Sequence, residues 1–208
     1  MRTSPESPSP IAAPFFLSTS PLSPPTNSAG AAVLIVVREG QNDVETLLIE
    51  RTIRPRDLAS GQVALPGGRV DAGDLDLRAT ALRELGEEVG LSPEDLRAPP
   101  VYVGTEEAQI FSMRVGVFAA ELSLGARAAR PHSVAEVAHV FWLPKSALAR
   151  TEVVARETHR GPREVEATVF SGHVLWGFTR RVLLEFFGLQ PRASPGGGRP
   201  PMSDGTPR

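Results

Sequence analysis

Glu84, Glu87 and Glu88 are spaced i, i+3 and i+4, which gathers side chains from neighbouring turns of one helix. Taken alone, three acids on a helix read as a solvated face. Crowded carboxylates also repel, by a few tenths of a kcal/mol for each close pair in an isolated helix. A divalent cation bridging them would reverse that sign. Hard oxygen donors on one rigid element suit Mg²⁺ or Mn²⁺, so Glu84, Glu87 and Glu88 are the candidate metal ligands. Arg83 can pair with Glu87 at i+4 and hold a carboxylate in position. Upstream, Pro66-Gly67-Gly68 forms a loop whose glycines let backbone come close to a ligand, so Gly67 and Gly68 are candidate binding positions.

Those side chains need a helix and a loop to place them. Leu75 to Val89 is predicted helical, with Asp74 as its N-terminal cap and Gly90 at its end. At about 100° per residue, Leu75, Ala79, Leu82, Leu85 and Val89 share an arc of roughly 120°, and the three glutamates share an arc of roughly 100° opposite. One face packs and the other presents acids. Ala31 to Val37 is continuous and β-branched, the pattern of a buried strand, and Val44 to Arg51 follows as a second. A loop from Thr52 to Asp74 carries Pro55, Gly61, Pro66, Gly67, Gly68 and Gly73. Further strands are expected at Val101–Val103, Ile110–Glu121, Val137–Leu143, and as a pair, Val153–Thr158 and Val165–Phe170, around Gly161-Pro162. A helix from about Gly172 to Phe187 closes the chain. Strands mixed irregularly with helices imply an α/β fold with a mixed sheet between helices.

The 208 residues fit one domain with tails. Residues 1–29 are Pro/Ser-rich and 191–208 Gly/Pro-rich, both expected to be disordered, which leaves a folded domain over 30–190. There is no cysteine, which removes disulfides, thiolate metal sites and cysteine nucleophiles together. A net charge of −2 gives no basic field for nucleic acid. No stretch is apolar for long enough to span a bilayer, and the segment Ile11–Leu17 makes a poor signal peptide, so a cytoplasmic protein is expected. A homodimer is left open, since one sequence shows no interface. His132, His139 and His159 have no ligand spacing, and His173 and Trp176 read as helix packing.

Gly68-Arg69-Val70-Asp71-Ala72-Gly73-Asp74 followed by Arg83-Glu84-Leu85-Gly86-Glu87-Glu88-Val89-Gly90-Leu91 resembles the Nudix box. The second half matches at every fixed position. In the first half Asp74 stands for the usual glutamate, and one extra residue separates it from Arg83. The resemblance implies a Nudix-like α/β/α sandwich and hydrolysis of a nucleoside diphosphate linked to another moiety. It also implies Mg²⁺ or Mn²⁺ held by Glu84, Glu87 and Glu88, with Arg83 orienting a carboxylate. Beyond the box, the chain resembles the coenzyme A diphosphatase branch. The run Leu47-Leu48-Ile49-Glu50-Arg51-Thr52-Ile53-Arg54-Pro55-Arg56, then Gly61 through Gly68, is similar to that branch's upstream motif. Thr52 replaces Ser or Ala, Leu65 replaces Phe, and one extra residue lies between Arg56 and Gly61. Arg51, Arg54 and Arg56 are then candidate substrate-binding residues, because guanidinium groups bind phosphate in planar, bidentate fashion. The implied reaction is attack of water on phosphorus, converting coenzyme A or an acyl-CoA to 3′,5′-ADP and (acyl-)4′-phosphopantetheine. Glu88 is one candidate for the base; Glu106, Glu107 and Glu136 are others. Alternatives are Nudix hydrolysis of ADP-ribose, dinucleoside polyphosphates or nucleotide sugars. A non-catalytic binding module of the same fold is a further alternative, although such modules usually lose box glutamates.

Overall fold

The computed structural model describes residues 29–55, 59–108, 112–158 and 161–190, and the backbone of 192–193. Arg56, Ile110, His159 and nearly all of both tails lie outside the described residues. The first strand, β1 (Ala31–Glu39), is central in a mixed sheet. It runs parallel to β6 (Met113–Glu121) and antiparallel to β2 (Val44–Arg51) and β4 (Gly67–Arg69). On one side β2 pairs with both β3 (Val63–Ala64) and β7 (Val137–Pro144); on the other, β6 pairs with β5 (Val101–Ala108).

The continuous apolar run of β1 has a structural reason: both sides of the strand are covered. Alternate residues of a strand point to opposite faces. Leu34 and Val36 therefore meet Ala81, Leu85 and Val89 of α1 (Leu77–Val89). Ile35 and Val37 meet Val182, Leu183 and Phe186 of α3 (Gly177–Phe186). This is the α/β/α layering with a mixed sheet expected from the sequence. A second sheet is built from β8 (Arg150–Thr158), β9 (Gly161–Phe170) and β10 (His173–Trp176), with the two-residue β11 (Arg192–Ala193) at its edge. A short helix, α2 (Lys145–Leu148), leads from β7 into it. Among the described residues no helix is long and apolar enough to cross a membrane.

Three local expectations are corrected. The helix predicted from Leu75 begins at Leu77, and Asp76, not Asp74, caps it by accepting from the Ala79 N–H at 2.7 Å. Leu75 lies before the helix and is 96% exposed. Gly90 ends the helix as expected, in the left-handed region with φ 70°. The closing helix predicted from about Gly172 begins only at Gly177. His173 to Trp176 pair with β9 instead, and the chain leaves that strand through Gly177 at φ 64°. The long glycine-bearing loop is also not free of structure, because β3 and β4 zip two pieces of it to the sheet.

Candidate active site

The site is assembled where β4 lies against the second half of α1. Gly67 pairs with Val33 and Gly68 with Ala32, so the glycine loop is held against the central strand. Gly67 has φ 152°, and a Cβ there would strike the backbone of Ala32 and Val33. A Cβ on Gly68 would overlap the Glu84 carboxyl. Each glycine thus permits a close approach, one of backbone to backbone and the other of backbone to a functional side chain.

The three box glutamates meet different environments. Glu88 is 2% exposed, and its Oε2 accepts from the Gly67 N–H at 2.9 Å. Burial pushes its carboxyl up to about 8; Glu84 and Glu136 push the same way, and the Gly67 N–H and Arg51 pull it down. Burial also raises Glu84, with Glu87 and Glu136 adding to it and Arg83 opposing. Glu87 is exposed. The acidic side of α1 is therefore not simply opposite its packing side, since Glu88 lies among the buried residues with Leu85 and Val89.

Arg83 organises the cluster. Its Nη1 donates to Glu84 at 2.9 Å and to Glu87 at 3.1 Å, as the i, i+4 spacing predicted for the latter. Its Nε and Nη2 donate to the two oxygens of Asp74 at 3.0 and 3.1 Å, and Nη2 also reaches the Arg69 carbonyl at 3.0 Å. Asp74 further accepts from Thr80 Oγ1 at 2.8 Å and from the Asp71 N–H at 2.8 Å. The Arg83 guanidinium holds the Asp74 carboxyl well below the usual range, and Asp74 in turn raises Arg83. Asp74, expected from sequence to cap the helix, pairs with Arg83 instead. The acid that replaces the box glutamate clamps the arginine that orients Glu84 and Glu87.

A cavity of about 1130 Å³ opens beside these groups, lined by Arg51, Gly67, Gly68, Glu84, Glu88 and Glu136 among others. Arg51, expected from sequence to bind substrate, is one of its lining residues. Arg54 is not among its lining residues; its guanidinium donates to the Ala135 carbonyl and stands 3.4 Å from Glu136. Glu136 is the acid of the proposed set that joins the box glutamates. Glu106 stands 3.5 Å from Arg181, and Arg181 also donates to the Glu107 carbonyl. His173, read from sequence as helix packing, lies on β10. It contacts Glu50 at 2.6 Å and stacks on Phe141 with ring centres 4.0 Å apart. Trp176 lines the cavity.

Among the described residues, no three acidic or imidazole side chains are already drawn together as a coordination shell. The donor set nevertheless fits a hard divalent ion. Glu84 and Glu88 are withdrawn from water, Glu84 raises the proton affinity of Glu88, Glu87 raises that of Glu84, and Glu136 adds to both. A cation between them offsets that repulsion.

The NUDIX domain profile matches residues 28–163. The Nudix hydrolase NudL of Citrobacter koseri is 35% identical over 169 residues, covering 76% of this chain and 81% of its own length. NudL of Klebsiella aerogenes is 46% identical over 91 residues, covering 41% of this chain and 73% of its own. Among solved structures, a MutT/nudix family protein from Enterococcus faecalis superposes with a TM-score of 0.49 at 15% identity, covering 81% of this chain and 64% of its own.

Proposed function

We propose, from the premise that this chain belongs to the Nudix hydrolase family, that it hydrolyses the diphosphate bond of coenzyme A or an acyl-CoA. The products are 3′,5′-ADP and the corresponding 4′-phosphopantetheine. The observation that carries the reading is one cavity lined by Glu84, Glu88, Arg51 and Glu136 beside the Gly67-Gly68 backbone. Such a surface pairs an acidic patch for a cation with a guanidinium for phosphate oxygens. Sequence similarity to the coenzyme A branch over Leu47–Gly68 supports the substrate.

Nudix hydrolases use divalent metals such as Mg²⁺ or Mn²⁺, and here Glu84, Glu87 and Glu88 would hold the ion. When bound, it supplies charge neutralisation at the phosphoryl oxygens and acidifies water. The protein's own groups do the rest. Arg83, fixed by Asp74, holds Glu84 and Glu87 in place. The Gly67 N–H fixes Glu88. Arg51 binds and orients the diphosphate through its guanidinium. Glu136 takes the proton from the attacking water: it lines the cavity, and its side chain is 44% exposed, so it can pass that proton to solvent. The water oxygen bonds to one phosphorus, the bridging oxygen leaves with the other phosphoryl group, and alignment matters more than covalent chemistry.

The test is a panel of diphosphates incubated with Mg²⁺ and with Mn²⁺, the products identified by mass. Coenzyme A is expected to give 3′,5′-ADP and 4′-phosphopantetheine. Intact coenzyme A beside cleaved ADP-ribose would reject the substrate and keep the reaction class.

A further inference from the structure

The cavity extends beyond the α1 carboxylates. It reaches the first turn of α3, on the other face of the main sheet, where Trp176, Gly177, Phe178, Thr179 and Arg180 line it. This turn lies beyond residues 28–163, the stretch matched by the NUDIX profile. Arg180 is 6% exposed. Its Nε donates to Thr168 Oγ1 at 3.3 Å and its Nη2 to Thr151 Oγ1 at 2.6 Å, both uncharged acceptors. The carboxylate that pairs with it, on Glu166, stands 3.8 Å from Nη1, beyond hydrogen-bonding distance, and that side chain is 64% exposed. Burial pulls the guanidinium's pKa down, and Glu166 only partly opposes it.

A buried cation whose hydrogen bonds all go to neutral hydroxyls, and whose paired carboxylate stands 3.8 Å away on an exposed side chain, is only partly compensated for its loss of water and favours a further anion. The helix around it offers a second attraction. Trp176 occupies the N-cap position and provides no side-chain acceptor for the first-turn N–H groups. Those groups and the helix dipole favour a negative charge at this end.

We propose that Arg180 and the uncapped first turn of α3 form an anion subsite that takes a phosphomonoester carried by the substrate away from its scissile diphosphate. The inference rests on the diphosphatase reading and narrows its substrate class to diphosphates bearing an additional phosphate. The cavity is large enough for such a molecule, since about 1130 Å³ exceeds what a diphosphate alone fills. The subsite sets KM and substrate choice and takes no part in bond cleavage.

Equilibrium binding of AMP and of adenosine 3′,5′-bisphosphate to the full chain, measured by calorimetry, tests it. The parent is expected to bind the bisphosphate at least about tenfold more tightly than AMP, the scale of one charge-assisted hydrogen bond. R180Q should bring the bisphosphate down to the level of AMP. E166Q removes the competing carboxylate from an exposed position and should widen the gap between the ligands. Equal affinities in the parent, or an R180Q protein that still discriminates, would overturn the subsite. Should R180Q fail to fold, E166Q decides alone, and an unchanged gap rejects the proposal. A chain that discriminates the two ligands but cuts no diphosphate would reject the function proposed above and leave the subsite standing. Cleavage of diphosphates without discrimination would reject the subsite alone.

Discussion

Burial sets Glu88 apart from the other acids of α1. Its carboxyl accepts the Gly67 N–H and is pushed up to about 8 by loss of water, so the fold holds a group that disfavours its own charge. Such an arrangement is kept where the charge has a task. Replacing Glu88 with Gln retains an acceptor for Gly67 and removes the buried ionisable group. E88Q should therefore melt at or above the parent temperature in metal-free buffer. Its turnover should fall by about a hundredfold or more, the scale on which one electrostatic contact acts in a preorganised site. Thermal melts and steady-state rates check the two halves, and a variant that is both less stable and fully active would contradict them. At this scale the sequence was informative about identity and less so about environment. The i, i+3, i+4 spacing located the three glutamates, and the i+4 rule found the Arg83–Glu87 pair. Burial of Glu88 was not legible, because it depends on β4 being zipped against β1. The work of Asp74 was hidden for a similar reason: Asp76 is close enough in sequence to cap the helix, freeing Asp74 to clamp Arg83.

The elements fix how closely these side chains approach one another. Gly67 and Gly68 are adjacent but should respond differently to alanine. At Gly67 the obstacle is backbone, and the φ of 152° is unfavourable for a side chain as well, a strain of about 1–3 kcal/mol before any overlap is counted. G67A should lose much of its folded population. At Gly68 the obstacle is the flexible Glu84 carboxyl, so G68A should fold, move Glu84 and lose activity. Circular dichroism and rate measurements on the pair check the contrast. A second element bears on pH. Asp95 ends a short 3₁₀ turn over Pro93–Asp95 and accepts from the Ser92 and Arg127 N–H groups at 2.9 and 3.1 Å. Burial pushes its carboxyl up, but these bonds outweigh it, and the net displacement is below the ordinary 3.8. Its contribution to stability is thus present above the unfolded-chain value and is lost as pH falls through the lower folded value. D95N should cost about 1 kcal/mol or more at neutral pH and flatten the fall in stability below about pH 4. Denaturant melts across pH read both. The helical and strand periods were legible in most of these elements. The exception is His173–Trp176, four residues whose pairing with β9 overrides a helix-like pattern, as tertiary contacts routinely do.

On the scale of the whole molecule, the α/β/α layering follows from the double-sided burial of β1, which the unbroken run Ala31–Val37 had signalled. The cavity was not legible in the same way. It is bounded by β4, α1, β9 and α3 together, and these come from distant parts of the chain that no local pattern brings into register. Arg180, on α3, enters the account for that reason, and the cavity is what singles out Glu136 from Glu106 and Glu107, the other acids named beside it. The central claim is that carboxylates on α1 and a divalent ion act jointly on a diphosphate. The most direct test titrates Mg²⁺ and Mn²⁺ into metal-stripped parent protein and into the double variant E84Q/E88Q, following coenzyme A cleavage and metal binding together. The account predicts no turnover in the stripped parent, saturable activation on adding either ion, and neither binding nor activation in the double variant. Full turnover without a divalent ion, or a double variant that binds and responds like the parent, would contradict it.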